Sequence, residues 1–414
     1  MIFERPTYLK QLIDGQNNRL IKIITGIRRC GKSFLLNEIF YKHLISQGVS
    51  KDHIIQIAFD DWDSRQYCNP EVLMDYIKSM ISDDGMYYLL FDEVQLLNDF
   101  VPVMNGLLRK TNLDIYVTGS NSRFLSSDIA TEFRGRGDII RMYPLSFSEI
   151  YTATERDKET CLREYFRYGG LPHIQLLKDA QKKAEYLQLL ADTVYISDVV
   201  ERNNVRNKDE IDELLRIIAS IIGSPCNPTK LSNTFKSIKH LDLSHKTISK
   251  YISYLEESFL IEKALSYNVK GKKYINTLSK LYFTDLGLRN VLTGFRQIEE
   301  GHIMENVIYN ELLIKGFSVD VGIVDQRLRE PNGTMARKQF EVDFVANNYS
   351  DRFYIQSALY IPDEQKMLQE TASLRNINDS FKKIVIVKEN IIPWTNNDGI
   401  YFMGIFDFLL NPLS

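Results

Sequence analysis

Residues 26–33 have the types and spacing needed to bind a phosphate group: they read Gly-Ile-Arg-Arg-Cys-Gly-Lys-Ser, a full G-x-x-x-x-G-K-S phosphate loop (Walker A motif). The glycines let the backbone wrap around a phosphate, and N–H groups at the start of the following helix supply positive potential. In this motif Lys32 reaches the β- and γ-phosphate oxygens, and the Ser33 hydroxyl is a ligand of Mg²⁺. The predicted contacts to the nucleotide come from the loop and the residue after it: Gly26, Ile27, Arg28, Arg29, Cys30, Gly31, Lys32, Ser33 and Phe34.

The segments on either side of this loop are of the kinds that must position it. Residues 20–25 form an apolar, β-branched-rich run that ends at Gly26, and residues 34–40 begin a pattern of helical spacing. A strand, a glycine loop and a helix in this order are the context in which the motif binds phosphate. Further strands are predicted at residues 54–59, 87–93, 114–118 and 138–142, and a helix at residues 70–81.

Two acids, Asp92 and Glu93, end a continuous apolar run that begins at Tyr87. A run that is apolar on both faces is typical of a buried parallel strand, and open parallel sheets bind ligands at the carboxyl ends of their strands. We therefore expect Asp92 to position Mg²⁺ beside the phosphate loop. We expect Glu93 to be the general base that activates the attacking water.

Two further segments could contact the γ-phosphate. Gly-Ser-Asn-Ser follows the strand at residues 114–118, so Asn121 or Ser120 is a candidate sensor, although the same residues suit a plain loop. Glycine-flanked arginines precede the strand at residues 138–142. Arg136, or failing it Arg134, is a candidate to stabilise transition-state charge, in its own chain or in a neighbouring copy. A solvated basic turn is the alternative.

Taken together, these motifs resemble those of a prokaryotic AAA-like ATPase family. The resemblance rests on the phosphate loop, Phe-Asp-Glu-Val-Gln at 91–95, Thr-Gly-Ser-Asn-Ser at 118–122, Tyr-Pro-Leu-Ser-Phe-Ser-Glu at 143–149 and Tyr-Gly-Gly-Leu-Pro at 168–172. Members of that family carry a C-terminal domain of unknown function that resembles a degenerate PD-(D/E)XK nuclease. The resemblance covers nearly the whole chain and implies a P-loop NTPase sheet of order 5-1-4-3-2 with ATP as ligand.

The next part of the chain reads as a helical lid or linker and then as a basic domain. Residues 228–290 contain eleven Lys and Arg against five Asp and Glu, although the whole chain has a net charge of −3. This asymmetry indicates a surface for a polyanion.

The pattern of this basic segment fits a winged helix that binds duplex DNA. A helix after Ser244 would bury its apolar positions and turn Lys246 and Lys250 outward, while Lys272 and Lys273 would lie in the wing loop. These contacts would be mostly to phosphate, so affinity should fall steeply with salt. A protein-interaction or ATPase-lid domain is the alternative, since winged helices serve those roles as well.

The last segment has the layout of a PD-(D/E)XK nuclease core with its catalytic pattern broken. Glu305 lies on a predicted helix and Asp343 on a predicted strand, but Gln356 and Ala358 stand where an acid and a lysine are needed. That chemistry needs paired carboxylates for Mg²⁺ and a lysine to activate water. We therefore expect a nuclease-like scaffold for DNA or protein without nuclease activity. An active metal-dependent nuclease would require Glu305 and Asp343 to suffice.

Composition is consistent with a chain of several domains in the cytoplasm. The 414 residues are 44% hydrophobic and 25% charged, and the four cysteines are scattered. No apolar run approaches the roughly 20 residues that span a bilayer, so no membrane association is expected. The predicted domains are an AAA-like P-loop ATPase domain, a helical lid or linker, a winged helix and a degenerate nuclease-like α/β domain, at residues 1–150, 151–215, 216–295 and 296–414.

The function predicted from the sequence is an Mg²⁺-dependent ATP-binding protein or ATP hydrolase, coupled to DNA through the winged helix. The alternative is a non-hydrolysing, nucleotide-stabilised switch or protein-interaction scaffold. A homo-oligomer and an unknown protein partner are both compatible with the sequence.

Overall fold

The computed structural model describes residues 1–119, 135–239, 243–296, 299–329, 335–349 and 351–413. The chain divides into two compact units. The first unit consists of Met1–Leu145, Leu171–Leu176 and Glu257–Phe259. The second unit consists of Ser146–Gly170, Leu177–Glu256 and Leu260–Ser414. Each is described by itself below.

The first unit is built on a parallel sheet, which has five strands among the described residues. The strands are β1 (Ile21–Thr25), β2 (Ile54–Ala58), β3 (Tyr87–Asp92), β4 (Leu113–Gly119) and β5 (Gly137–Arg141). Their order across the sheet is β2-β3-β4-β1-β5. This is the 5-1-4-3-2 order that the family resemblance implied, and the prediction is confirmed.

Burial explains why the central strands read as continuous apolar runs. Every residue of β1, β3 and β4 is buried, since helices cover both faces of such a sheet. One face of the core includes Leu89, Phe91 and Ile115. The described helices of this unit are Pro6–Asp14, Lys32–Phe34, Leu35–Phe40, Tyr41–Ser46, Pro70–Met80, Phe100–Leu107 and Pro172–Leu176, with short 3₁₀ turns at Lys51–His53, Arg65–Cys68 and Val94–Leu96.

The helix that leaves the phosphate loop is wider than expected. Its middle part, Leu35–Phe40, has π-helical hydrogen bonding, with α-helical turns before and after it. Leu35, Leu36 and Phe40 are buried on this stretch. π-Helical turns interrupt α-helices at functional sites more often than elsewhere, and this one lies directly after the loop.

The second unit begins with helices, as the sequence predicted for its lid or linker. Its helices are Phe147–Ala153, Lys158–Tyr168, Ala180–Leu189, Leu190–Tyr195, Ile196–Arg202, Lys208–Ser220, Pro228–Thr234, Phe235–Lys239, His245–Glu257, Leu286–Leu292, Glu300–Ile314, Glu364–Arg375 and Ile405–Leu410. Leu190–Tyr195 and Phe235–Lys239 are π-helical. In the part of the chain that is described, none of the helices combines the length and apolarity that crossing a bilayer requires.

A mixed sheet forms the core of the second unit. Its described strands are β6 (Ile261–Asn268), β7 (Lys273–Phe283), β8 (Ser318–Arg329), β9 (Met335–Asn348), β10 (Asp351–Ala358), β11 (Lys382–Val387), β12 (Trp394–Thr395) and β13 (Ile400–Gly404). Their order is β12-β13-β11-β10-β9-β8-β6-β7. The hairpin expected as a wing therefore belongs to the same sheet as the nuclease-like strands.

The link between these two parts of the sheet is a short parallel pairing. Ser266, Tyr267 and Asn268 of β6 pair with Val321, Gly322 and Ile323 of β8. This pairing occupies the last three residues of β6 (Ile261–Asn268), the strand that forms a hairpin with β7. The division at residues 295 and 296 into two domains stays a prediction.

Candidate functional site

The two glycines of the phosphate loop are required by the backbone. Gly26 has φ +145° and Gly31 has φ +102°, in the left-handed region that other residues rarely adopt. A Cβ on Gly26 would also collide with the carbonyl oxygen of Met142. The N–H of Met142 donates to the carbonyl of Thr25 at 2.7 Å, so this segment is fixed against the loop. No other residue type fits at position 26 without moving one of the two chain segments.

The lysine of the loop points into the loop itself. Lys32 is 4% exposed, and its Nζ donates to the carbonyl oxygens of Gly26 at 3.0 Å and Ile27 at 3.1 Å. Among the other loop residues, Cys30 is buried, and its Sγ lies 3.7 Å from the Met142 carbonyl oxygen. The ammonium is thus held where the loop curves, ready to exchange carbonyl oxygens for phosphate oxygens.

Asp92, at the end of β3, is held by side chains from β4 and from the helix that leaves the phosphate loop. The Thr118 hydroxyl on β4 donates to Asp92 Oδ1, and Asn37 Nδ2 lies 3.4 Å from Asp92 Oδ2. Burial raises the pKa of Asp92, and the side chains of Thr118 and Ser33 offset part of that increase. A carboxylate suited to Mg²⁺ therefore lies at the carboxyl end of β3.

Glu93 has an unusual backbone conformation at this edge of the sheet. Its φ is +52°, which is costly for a residue with a side chain and is found mostly at functional sites. Its N–H donates to Thr118 Oγ1 at 3.0 Å, and its carboxylate accepts a hydrogen bond from the side-chain amide of Gln95. The structure thus fixes the direction of the Glu93 side chain from two sides.

Three of these partners were not predicted from the sequence: Asn37, Gln95 and Thr118. A signal existed for Gln95 and Thr118, because they lie in two of the motifs that carry the family resemblance, at 91–95 and 118–122. For Asn37 the sequence carried no comparable signal, since its role depends on the direction of one side chain.

Of the residues predicted to contact the γ-phosphate from outside the loop, only Arg136 is among the described residues. Asn121, Ser120 and Arg134 lie outside the described residues. Arg136 is exposed and its Nη1 lies 3.2 Å from Asn105 Oδ1. Its carbonyl accepts from the N–H of Ile21, the first residue of β1.

This position differs from the expectation that Arg136 would lie near the nucleotide edge. Arg136 is at the amino end of the strands, whereas the phosphate loop follows their carboxyl ends. The reason is that β5 runs parallel to β1, so a residue before β5 lies opposite to a residue after β1. A role for Arg136 in its own chain is not favoured, and a role towards a neighbouring copy stays a prediction.

The lysines expected to contact DNA are exposed, on two elements of the second unit. Lys246 and Lys250 lie on the helix His245–Glu257, whose N-terminus is capped by Ser244 accepting from the N–H of Thr247 at 3.1 Å. Lys272 and Lys273 lie at the turn between β6 and β7. As expected, the same helix buries Ile248, Tyr251, Ile252 and Leu255.

The positive surface is smaller than the number of basic residues suggested. Lys280 is 3% exposed and Arg289 is 2% exposed, so two of the eleven basic residues point into the protein. Arg289 Nε donates to the carbonyl of Ala219 at 2.8 Å. Both side chains serve the interior of the second unit.

The nuclease-like residues are also brought together by the second unit. The N–H of Asp343 on β9 lies 3.4 Å from Gln356 Oε1 on β10. The N–H and hydroxyl of Ser357 donate to Asp343 Oδ2 at 2.8 and 3.0 Å. Burial, followed by the charge of Glu305 on the helix Glu300–Ile314, raises the pKa of Asp343 to about 6. Asp343 and Gln356 are thus neighbours, and their assignment with Glu305 to a nuclease-like remnant stays a prediction.

A lysine that was not predicted for this site is its main basic group. Lys280 Nζ on β7 lies 2.8 Å from Glu305 Oε1 and 2.7 Å from Glu341 Oε1. Burial lowers the pKa of Lys280, but the nearby carboxylates outweigh that effect and the net shift is upward. Lys280 was not assigned here because β7 was expected to belong to a separate domain.

The nuclease-like residues do not form a metal-binding group among the described residues. Within the described ranges, no group of three or more His, Cys, Asp or Glu side chains could hold a metal ion. Ala358 is buried and offers no functional group at the position where the nuclease pattern needs a lysine.

Comparisons with known proteins are consistent with the first unit's architecture. The AAA domain family matches residues 18–151, and the Domain of unknown function (DUF8612) family matches residues 159–299. The chain is 33% identical over 415 residues to an uncharacterized protein of Haemophilus influenzae, covering 99% of both. It is 31% identical over 337 residues to an uncharacterized protein of Methanocaldococcus jannaschii, covering 78% of this chain and 71% of that protein.

Two solved structures show a weak likeness. The Aeropyrum pernix ORC1 protein in complex with DNA is 14% identical with a TM-score of 0.28, covering 71% of this chain and 93% of that chain. Cdc6p from Pyrobaculum aerophilum is 14% identical with a TM-score of 0.29, covering 73% of this chain and 94% of that chain. Both TM-scores are too low for the likeness to bear on function.

Proposed function

This chain belongs to a family of prokaryotic proteins in which an AAA domain precedes a domain of unknown function, and we propose that its first unit binds ATP with Mg²⁺ and hydrolyses it. The observation that carries the proposal is a pair of buried charges at the carboxyl ends of the strands: Lys32, turned into the loop that follows β1, and Asp92, at the end of β3. A strand–helix turn without this function would have no need to bury both a lysine and a carboxylate there.

Each residue has a distinct part in the proposed reaction. Lys32 exchanges its bonds to the loop carbonyls for bonds to the β- and γ-phosphate oxygens. Ser33 and Asp92 supply the oxygen atoms that hold Mg²⁺, which offsets the phosphate charge when bound. Glu93, once its carboxylate is free of the Gln95 amide, accepts a proton from the attacking water.

Nucleotide binding by the Lys32→Ala variant tests the site directly. We expect loss of ATP affinity by at least about tenfold, because a hydrogen-bonded charge contributes roughly 1.5 to 3 kcal/mol. Titration of a fluorescent ATP analogue would measure this, with Lys42→Ala as the matched control, since Lys42 is an exposed lysine paired with Glu38. Equal affinity in Lys32→Ala and wild type would refute the site.

We further propose that the second unit binds duplex DNA through Lys246, Lys250, Lys272 and Lys273, in the manner of a winged helix. Support comes from their exposure and from the capped helix that carries the first two. The expected contacts are to phosphates, so they position the protein without reading sequence.

Salt dependence of DNA binding tests this second part. Replacing each lysine by alanine should reduce the magnitude of the slope of log K against log salt by about 0.9 for each phosphate that the protein no longer neutralises. Fluorescence anisotropy with a labelled duplex would measure it, with Lys178→Ala and Lys182→Ala as controls from exposed lysines elsewhere in the unit. An unchanged slope in the fourfold variant would favour the protein-interaction alternative.

A non-hydrolysing scaffold is the second candidate function. The hydrogen bond between Gln95 and Glu93 favours it, because a general base held by an amide is not free to activate water. Steady-state hydrolysis with and without DNA distinguishes the two: tight ATP binding without turnover under either condition would support the scaffold.

A further inference from the structure

A buried lysine lies among two buried carboxylates and one partly exposed carboxylate, Glu341, in the second unit. Lys280 is 3% exposed, and its ammonium makes ion pairs of 2.8 Å with Glu305 and 2.7 Å with Glu341. The negative charge of Asp343 also acts to raise the pKa of Lys280. Glu305 and Asp343 are 7% and 8% exposed, so neither carboxylate can rely on water for stabilisation.

The oxygen atoms of this cluster already have partners within the chain. Glu305 Oε1 accepts from Lys280 and, at 2.6 Å, from the hydroxyl of Tyr282. Asp343 Oδ2 accepts from both donors of Ser357. Gln356 Oε1 faces the N–H of Asp343 at 3.4 Å and the hydroxyl of Ser373 at 3.3 Å. A divalent cation would have to displace several of these donors.

Burying several carboxylates together is unfavourable unless a positive charge accompanies them. Metal-dependent sites meet this need with a divalent cation bound by oxygen ligands. Here the ammonium of Lys280, on β7, supplies the positive charge, and Ala358 on β10 adds none.

We propose that the ammonium of Lys280 is a built-in replacement for a divalent cation at the nuclease-like carboxylate cluster of Glu305, Glu341 and Asp343. The cluster then holds β7, β9 and the helix Glu300–Ile314 together without metal. It follows that removing the charge of Lys280 lets a divalent cation take the place of the ammonium between Glu305 and Glu341, two carboxylates and not a preformed group of three. This inference does not depend on nucleotide binding by the first unit.

Mn²⁺ binding by full-length, nucleotide-free protein tests the proposal. Wild type should show no Mn²⁺ binding that depends on Glu305, when measured by electron paramagnetic resonance. Lys280→Met keeps the length of the side chain and removes the charge, and it should gain one Mn²⁺ site with affinity at least about tenfold above any binding in wild type. The gain should disappear in Lys280→Met/Glu305→Gln and be absent in Lys280→Arg.

If Lys280→Met folds poorly, its thermal stability with and without Mn²⁺ still tests the proposal. Its melting temperature should rise with Mn²⁺, and the added Glu305→Gln should restore stability without metal by removing the partner charge. Mn²⁺ binding by wild type that is lost in Glu305→Gln would overturn the proposal, as would a Lys280→Met variant that neither binds Mn²⁺ nor is stabilised by it. Metal-dependent plasmid nicking by wild type that disappears in Lys280→Met would also overturn it, because Lys280 would then be a nuclease lysine.

Discussion

At the scale of single residues, the nucleotide site is organised around hydrogen bonds of Asp92 and Glu93. Thr118 contacts both: its hydroxyl donates to Asp92 and accepts from the N–H of Glu93. This one side chain therefore fixes the spacing of the two acids. Glu93 is further restrained by its left-handed backbone and by Gln95. The acid that should activate water is thus held in a defined resting position.

Gln95 gives a residue-scale prediction. Gln95→Ala should increase basal ATP turnover by about tenfold or more, because it removes from Glu93 a hydrogen bond to a charged group worth roughly 1.5 to 3 kcal/mol. A coupled assay of ADP release would measure it, with Gln181→Ala as a control, since Gln181 bonds Glu185 in the second unit. Decreased turnover would mean that Gln95 holds Glu93 in its productive position.

At the scale of elements, local sequence signals were sufficient where the structure is determined locally. The predicted helix at residues 70–81 is present as Pro70–Met80, and Asn69 accepts from the N–H groups of Glu71 and Val72. Ser244 caps the helix that follows it, as its residue type indicated. The three central strands β1, β3 and β4 follow from apolar runs, because buried parallel strands are apolar on both faces.

A cap gives an element-scale prediction. Asn69→Ala should lower the free energy of unfolding by about 1 kcal/mol, since it leaves two N–H groups of the helix without their side-chain acceptor. Chemical denaturation would measure the loss, and Asn69→Asp should retain most of the stability because aspartate caps equally well. A fully stable Asn69→Ala variant would show that water satisfies these N–H groups at no cost.

Local sequence signals do not predict contacts between segments that are distant in the chain, and this explains the features that the sequence analysis did not predict. Pairing of β6 with β8 joins segments that are far apart in sequence, and neither segment carries a mark of its partner. Because the pairing of β6 with β8 was not predicted, Lys280 on β7 was not assigned to the nuclease-like site. Arg136 was misplaced because the direction of β5 relative to β1 decides on which edge it lies.

At the scale of the whole molecule, two kinds of polar site lie in two separate units. The first unit has a phosphate loop with acids at the carboxyl edge of a parallel sheet. The second has exposed lysines and a carboxylate cluster closed by Lys280. A nucleotide-driven process that acts on DNA or on another protein would use both units, and the order of the sheet in the first was predictable only through the family resemblance.

ATP hydrolysis by full-length protein, wild type beside Glu93→Gln, tests the central claim most directly. With Mg²⁺ and with or without duplex DNA, wild type should turn over ATP, while Glu93→Gln should bind ATP normally and lose at least about 100-fold in turnover, the usual contribution of a general base. Equal turnover in the two proteins would contradict the role of Glu93, and absence of turnover in wild type under every condition would contradict the assignment as an ATP hydrolase.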